Sequence, residues 1–183
     1  MADRVELVSP TPALRDEFLE LARDHAAAGD DRYAAALDDF DAYLARLRAT
    51  ERGEELPPGD APCSSFWLVA GGRVVAVSRL RHRLTPELSR EGGHIGYDVR
   101  PSARRRGHGT RLLGLVLERA LARGLRHVLL TCDDDNRASA RIIEAHGGRL
   151  QDVVPSPEGG QPLRRYWIEV PRALARRSAA PSR

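Results

Sequence analysis

Three consecutive arginines and two glycines lie in one short segment of the chain, at positions 104–109. The segment follows an apolar stretch that ends at Val99, and it precedes residues 110–123, whose apolar side chains recur at the helical period. The first N–H groups of a helix have no partner within it, and the helix dipole adds positive charge there. Because Gly107 and Gly109 have no Cβ, a phosphate can approach their backbone closely. The segment therefore predicts an anion site for a phosphate-bearing ligand.

The hydrophobic pattern on either side of this segment predicts alternating strands and helices. In order, we expect a strand, two helices, three strands, a helix, a strand, a helix and two strands. Their approximate bounds are 4–8, 11 onwards, 31–49, 66–70, 73–84, 92–99, 110–123, 126–132, 137–146, 149–154 and 163–170. This order predicts a single α/β domain with a mixed sheet flanked by helices.

Two separated motifs resemble those of a known family. Arg104, Gly107 and Gly109 stand at the three defining positions of the Arg/Gln-x-x-Gly-x-Gly/Ala loop that holds pyrophosphate in the GCN5-related N-acetyltransferases (GNAT). Residues 136–139, Asn-Arg-Ala-Ser, followed by the glycines 147–148, resemble the helix that lies along the pantetheine arm of acetyl-CoA in that family. The resemblance extends from about residue 5 to residue 169, is greatest to a bacterial branch of predicted acetyltransferases, and implies the acyl-CoA N-acyltransferase fold.

The resemblance implies an acetyl-CoA-dependent N-acetyltransferase, in which a primary amine attacks the thioester directly in a ternary complex. The amine belongs to a small molecule or a protein. Dimers are common in the family, so the resemblance allows a homodimer, although no stretch of this sequence commits to one. Acetyl-CoA is the expected co-substrate, and no metal is expected. The residues implied in cofactor binding are Val99 through its backbone, Arg104, Arg105, Arg106, Gly107, His108, Gly109, Thr110, Asn136 and Ser139.

The catalytic residues are less well defined by the resemblance. The strand before the arginine-rich loop carries His94 and Asp98 on one face, and His82 lies on the neighbouring predicted strand. A histidine with a pKa of about 6.5 suits proton removal near neutral pH, so His94 is the first choice for the base. Many family members have a tyrosine four residues after the Ser/Ala of the second motif, where this chain has Ile143. We expect Tyr97 to substitute as the acid, with Tyr166 as a further candidate.

Composition limits the other classes of function. The tail 171–183 contains four of the 29 arginines and no acid, so residues 1–170 carry 25 arginines against 26 acids, a net charge of −1. We expect residues 1–170 to form the domain, and 171–183 to be a disordered basic tail. A near-neutral domain with few aromatics argues against nucleic-acid binding. Without a long apolar run or a signal peptide, the chain is expected to be cytoplasmic, with no membrane partner.

Two alternatives to an enzyme remain open at the level of sequence. One is a non-catalytic acyl-CoA-binding module, which the missing tyrosine would explain; the other is a nucleic-acid binder that uses the arginine cluster and the tail. Cys132 ends a buried strand without a paired histidine nearby in sequence, so it is not expected to act as a nucleophile. The three aspartates at 133–135 are expected to stabilise the start of the next helix by charge and not to bind a metal.

Overall fold

The computed structural model describes residues 5–54, 56–157 and 159–170 of the 183-residue chain. Within these ranges the strands are β1 (Val5–Val8), β2 (Cys63–Ala70), β3 (Arg73–Arg81), β4 (Ile95–Val99), β5 (His127–Asp133), β6 (Arg149–Val154) and β7 (Leu163–Glu169). The α-helices are α1 (Arg15–Ala27), α2 (Ala34–Asp38), α3 (Phe40–Arg52), α4 (Pro86–Arg90), α5 (His108–Ala122) and α6 (Arg137–Ala145), with short 3₁₀ turns at Pro12–Leu14 and Pro101–Ala103. The predicted tail, 171–183, lies outside the described residues. None of the helices in these ranges combines the length and the hydrophobicity needed to cross a bilayer.

The strands form two antiparallel sheets, with orders β1-β2-β3-β4 and β5-β7-β6. In the first sheet, Val77 of β3 pairs with Trp67 on one side and Asp98 on the other. Since side chains alternate between faces along a strand, this row defines one face of the sheet, and α1–α3 pack against it. The α/β class is confirmed, with strands β4 and β5 adjacent where the two sheets meet.

Each face of the first sheet has its own hydrophobic core. On one face, α5 buries five side chains completely or nearly so: Leu112, Leu113, Val116, Leu117 and Ala120. On the other face, Phe18 of α1 stacks on Trp67 with ring centroids 4.3 Å apart, and Tyr33 meets Phe18 edge-on at 5.3 Å. The aromatic contacts therefore fix the α1–α2 segment above β2 and β3, where Trp67 and Val77 pair.

The prediction of one continuous helix at 31–49 is wrong, because the chain forms two helices that are separated at Asp39. The Asp39 backbone is extended, with φ of −150°, and its Oδ1 accepts the N–H of Ala42 at 3.0 Å. An aspartate at this position caps a new helix more favourably than it continues an old one. The predicted connector 85–90 is also a helix, α4, which Thr85 caps and Pro86 begins.

His94 joins the two sheets where β4 begins. Its N–H donates to the Leu129 carbonyl at 2.7 Å, and its Nδ1 accepts the Leu129 N–H at 2.9 Å. Gly93, with φ of +62°, lies so close to the Leu129 carbonyl that a Cβ would collide with it. Beyond this junction, β4 and β5 belong to separate sheets and share no ladder.

Candidate active site

A cleft of about 650 Å³ extends from the end of β4 across the start of α5 to the first turn of α6. Arg32 and the segments 97–110 and 136–142, which are far apart in sequence, therefore contribute to one cavity. Its lining consists of Arg32, Tyr97, Asp98, Val99, Arg104, Arg105, Gly107, His108, Gly109, Thr110, Asn136, Ala138, Ser139 and Ile142. Nine of the ten residues predicted to bind the cofactor are in this lining, and the exception is Arg106, which is exposed.

The loop before α5 has the backbone shape expected of an anion site. Gly107, with φ of +79°, is the N-cap of α5, and Arg105 also has a positive φ, of 63°. Left-handed residues within such a loop turn successive N–H groups toward one side, which creates a concave anion-binding surface. No side chain caps the helix at Gly107, so the first N–H groups of α5 remain available to a ligand.

Gly109 has a packing role that differs from the one predicted. A Cβ at this buried residue would lie 2.8 Å from Ile142 Cδ1 and 3.4 Å from Val99 Cγ2. Its missing side chain therefore lets α5 approach α6 and β4, whereas a Cβ at Gly107 would meet only open space. Between the two glycines, burial and then Arg106 lower the pKa of His108.

The start of α6 brings polar groups to the other side of the cleft. Asn136 caps α6, because its Oδ1 accepts the Ser139 N–H at 3.1 Å. The Ser139 hydroxyl lies 2.9 Å from the Tyr97 hydroxyl, so Tyr97 of β4 reaches the helix that lacks the usual tyrosine at Ile143. Burial raises the pKa of Tyr97 to about 12, and burial also raises the pKa of the Cys132 thiol. Tyr97 therefore keeps its proton at neutral pH, and Cys132 is not activated as a thiolate.

Asp98 is the acidic group of the cleft, and it is surrounded by donors. Tyr33 Oη donates to Asp98 Oδ2 at 2.7 Å, and Arg32 Nη1 lies 3.5 Å from the same oxygen. His25 Nε2 approaches Asp98 Oδ1 to 3.3 Å, a charge contact whose atoms are not aligned as a hydrogen bond. These groups hold the carboxylate in a fixed orientation at the cleft wall.

His25 lies entirely beneath this wall, with 0% of its surface exposed. Its Nδ1 is 3.1 Å from Asp30 Oδ2, so each ring nitrogen faces a carboxylate. Burial of the ring lowers its pKa, but Asp98 and Asp30 outweigh burial and raise the pKa above its ordinary value. Sequence reasoning did not find His25, Tyr33 or Arg32. No local signal could have done so, since Tyr33 and Asp98 are 65 positions apart.

The two histidines proposed from sequence as bases do not line the cleft. His94 is 5% exposed and is used in joining the sheets; burial and then the Arg81 guanidinium lower its pKa to about 4. His82 Nε2 lies 2.9 Å from the Ser64 hydroxyl, which donates to Glu51 at 2.6 Å, in a separate polar cluster. Neither ring therefore has access to a substrate in the cleft. Tyr166 is also a core residue, fully buried, and it donates to Glu144 at 3.1 Å.

The sequence predicts that the aspartates at 133–135 stabilise the start of α6 by their charge. In the structure, one of them forms an ion pair with a residue of β7. Asp134 Oδ1 accepts from Arg164 Nε at 2.7 Å, so this carboxylate connects β7 to the start of α6. The N-cap itself is Asn136. Among the described residues, no group of histidines, cysteines and acids is arranged to hold a metal ion.

Comparison with known proteins agrees with this geometry. Residues 17–147 match the Acetyltransferase (GNAT) family. The chain is similar in structure to yncA of Salmonella typhimurium with its cofactor acetyl-CoA (TM-score 0.65, 18% identity, covering 97% of this chain and 98% of that one). It is also similar to RimL, a ribosomal L7/L12 alpha-N-protein acetyltransferase in complex with coenzyme A (TM-score 0.70, 14% identity, covering 91% of this chain and 94% of that one). A third similar structure is the ribosomal-protein-S18-alanine N-acetyltransferase of Escherichia coli (TM-score 0.56, 14% identity, covering 91% of this chain and 94% of that one). No curated protein sequence matches the chain significantly.

Proposed function

The chain belongs to the Acetyltransferase (GNAT) family and is an N-acetyltransferase with acetyl-CoA as its co-substrate; we propose that an amine bound at Asp98 takes the acetyl group directly, without an acyl-enzyme. One observation carries the proposal: the anion site at the start of α5 and the Asp98 carboxylate are in one cleft. The amine belongs to a small molecule or a protein.

The lining of the cleft fits the parts of the co-substrate in order. Backbone N–H groups at 107–110, with the guanidinium of Arg104 or Arg105, would hold the pyrophosphate. The amide of Asn136 and the hydroxyl of Ser139 would contact the pantetheine arm. Backbone groups near Val99 would orient the thioester carbonyl, where negative charge develops. Bound there, acetyl-CoA supplies an activated acyl group.

Asp98 is proposed to bind the amine as an ammonium ion and to orient it. Carboxylates are in general far weaker bases than aliphatic amines, so complete proton transfer from an ammonium ion to a carboxylate is strongly uphill. The carboxylate therefore holds the amine in place, and water carries its proton away. The Tyr33 hydroxyl and the Arg32 guanidinium favour this role because they hold the carboxylate in place.

Tyr97 is proposed to donate a hydrogen bond to the departing sulfur. A tyrosine with a pKa of about 12 would transfer its proton to a thiolate near 8.5 only at a cost of about 5 kcal/mol. A hydrogen bond to the developing charge requires no such transfer. Its position beside Ser139, on the cleft wall, supports this role.

The anion site can be tested with two glycines of matched conformation. Gly107 and Gly72 have φ of +79° and +78°, and a Cβ at either would meet nothing within 4 Å. Alanine should strain both backbones by about 1–2 kcal/mol, but only Gly107→Ala changes the loop before α5. By calorimetry we expect Gly107→Ala to weaken acetyl-CoA binding at least 10-fold and Gly72→Ala to leave it unchanged. Equal affinities for all three proteins would contradict the assignment. Thiol release with a panel of amines then distinguishes an enzyme from a binding module.

A further inference from the structure

A row of residues beside Asp98 continues the same face of the first sheet. Ser65 of β2 pairs with Arg79 of β3, and Arg79 pairs in turn with Gly96 of β4. The three residues therefore form one row across the sheet. Gly96 and Asp98 are two residues apart on β4, so they share the face toward α1–α3. Arg79 is then the diagonal neighbour of Asp98, with backbones about 7–8 Å apart. An arginine side chain is long enough to reach across that distance.

Arg79 is free to bind a ligand. It is exposed, and in the described part of the chain no carboxylate is within ion-pair distance of it. Arg32, the other guanidinium near Asp98, is instead held by Asp30 through a contact of 2.6 Å. The two arginines therefore differ, because Arg32 belongs to the network that fixes Asp98 and Arg79 does not.

Beside Arg79 there is open space for a ligand and a further hydroxyl group that can form a hydrogen bond. A Cβ built on Gly96, which faces Arg79 across the ladder, would meet nothing within 4 Å. Ser65, on the other side of Arg79, is 8% exposed, and its hydroxyl has no hydrogen-bond partner among the described residues. A serine hydroxyl beside a free guanidinium is a suitable pair of donors for an oxyanion.

Two tyrosines show that Arg79 and Asp98 act on the same small region. Burial raises the pKa of Tyr33 well above its ordinary value; Asp98 raises it further, and Arg79 lowers it. Burial likewise raises the pKa of Tyr43 to about 12. Arg79 lowers this pKa, and Asp98 raises it. Both hydroxyls thus lie within electrostatic range of the carboxylate and of the guanidinium.

From this juxtaposition we infer that the acceptor is a small zwitterion, an amine whose chain also carries a carboxylate or a similar oxyanion. Asp98 binds its ammonium end, and Arg79 with Ser65 binds its anionic end across the open space at Gly96. The inference rests on the proposed function and specifies the acceptor of the same site. An amine without an anionic group would satisfy Asp98 but leave Arg79 without a partner.

The test compares amino acids with their carboxamides, which keep the amine and remove the negative charge. The panel includes α-, β- and γ-amino acids, so that it also reports the preferred distance between the two charges. Thiol release gives kcat/KM for each pair in the wild type, in Arg79→Gln and in Arg83→Gln. Arg83 is an exposed arginine two positions beyond the end of β3, so its variant controls for loss of one positive charge. Because each acid-to-amide ratio is compared between proteins, differences in intrinsic amine reactivity cancel.

We expect at least one amino acid to be preferred over its amide by 10-fold or more in the wild type and in Arg83→Gln. In Arg79→Gln that preference should fall at least 5-fold, mainly through KM, with the amide rate unchanged within a factor of two. An acid-to-amide ratio that is the same in wild type and Arg79→Gln would overturn the inference while leaving the proposed function intact. Acetylation of no amine by the wild type would overturn the proposed function itself.

Discussion

The hydroxyl of Tyr33 donates to Asp98 Oδ2 at 2.7 Å, and this contact joins the α1–α2 segment to the strand that forms the cleft wall. The contact orients a carboxylate whose other neighbours are the Arg32 guanidinium at 3.5 Å and the His25 ring at 3.3 Å. It thus connects the helices above the sheet to the proposed amine site.

Tyr33→Phe should therefore affect the amine and not the co-substrate. Loss of a hydrogen bond to a charged group costs about 1.5–3 kcal/mol, so we expect kcat/KM for the amine to fall about 10-fold or more. Acetyl-CoA affinity, measured by calorimetry, should be unchanged. A variant that loses both to the same extent would show that Tyr33 is needed only for folding, which a thermal melt on the same sample would reveal.

Tyr97→Phe should slow turnover without weakening the binding of either substrate. The variant keeps the ring on the cleft wall but removes the hydroxyl that lies beside Ser139. One lost hydrogen bond to developing charge, worth about 1.5–3 kcal/mol, predicts a fall in kcat of about 10–100-fold at constant KM. Tyr166→Phe is the matched control, since that hydroxyl contacts Glu144 away from the cleft. Equal effects of the two substitutions on kcat would contradict the proposed role of Tyr97.

Because the pKa of His94 is lowered by folding, the free energy of unfolding should decrease in acid. The pKa of His94 is lowered to about 4 in the folded chain, against about 6.5 in the unfolded chain. Between these values the unfolded state binds more protons, so this part of the stability is present above pH 6.5 and is lost as pH falls toward 4. The difference corresponds to about 3 kcal/mol. Denaturant unfolding from pH 7 to pH 4 should show a smaller loss for His94→Gln than for the wild type. The exposed His127→Gln should behave like the wild type.

Gly93 should tolerate substitution less well than other glycines with positive φ. Alanine there would add backbone strain and a collision with the Leu129 carbonyl, where the two sheets join. At Gly72 alanine would add strain alone, since a Cβ would meet nothing within 4 Å. We expect the free energy of unfolding to fall by about 3 kcal/mol or more for Gly93→Ala and by about 1–2 kcal/mol for Gly72→Ala. Equal losses would mean that the sheets do not depend on this close approach.

The sequence predicted those features that depend on neighbouring residues. The stripe of apolar residues in α5, the glycine at its start and the cap at Asn136 are all local patterns, and the structure has each of them. Alternation along β4 also placed Tyr97 and Asp98 on opposite faces, which the structure confirms, with Tyr97 meeting α6 and Asp98 meeting Tyr33.

The errors come from contacts between distant segments. Alternation gave His94 the same face as Asp98, but it could not show that β5 covers this ring and uses its Nδ1 as an acceptor. The polar shell of Asp98 comes from α1 and from the residues just after it, more than 60 positions away. A helix pattern identifies which side of α1 is buried, and it does not identify the strand residue that His25 will meet.

The central claim is that the Asp98 carboxylate binds the acceptor amine in the cleft that holds acetyl-CoA. It is tested most directly by kcat/KM for the best amine in Asp98→Asn, with acetyl-CoA affinity measured by calorimetry on the same protein. Asparagine keeps the shape of the side chain and removes the charge that pairs with the ammonium ion, so we expect kcat/KM to fall about 100-fold while acetyl-CoA affinity stays within a factor of two. A well-folded Asp98→Asn protein with undiminished kcat/KM would contradict the account.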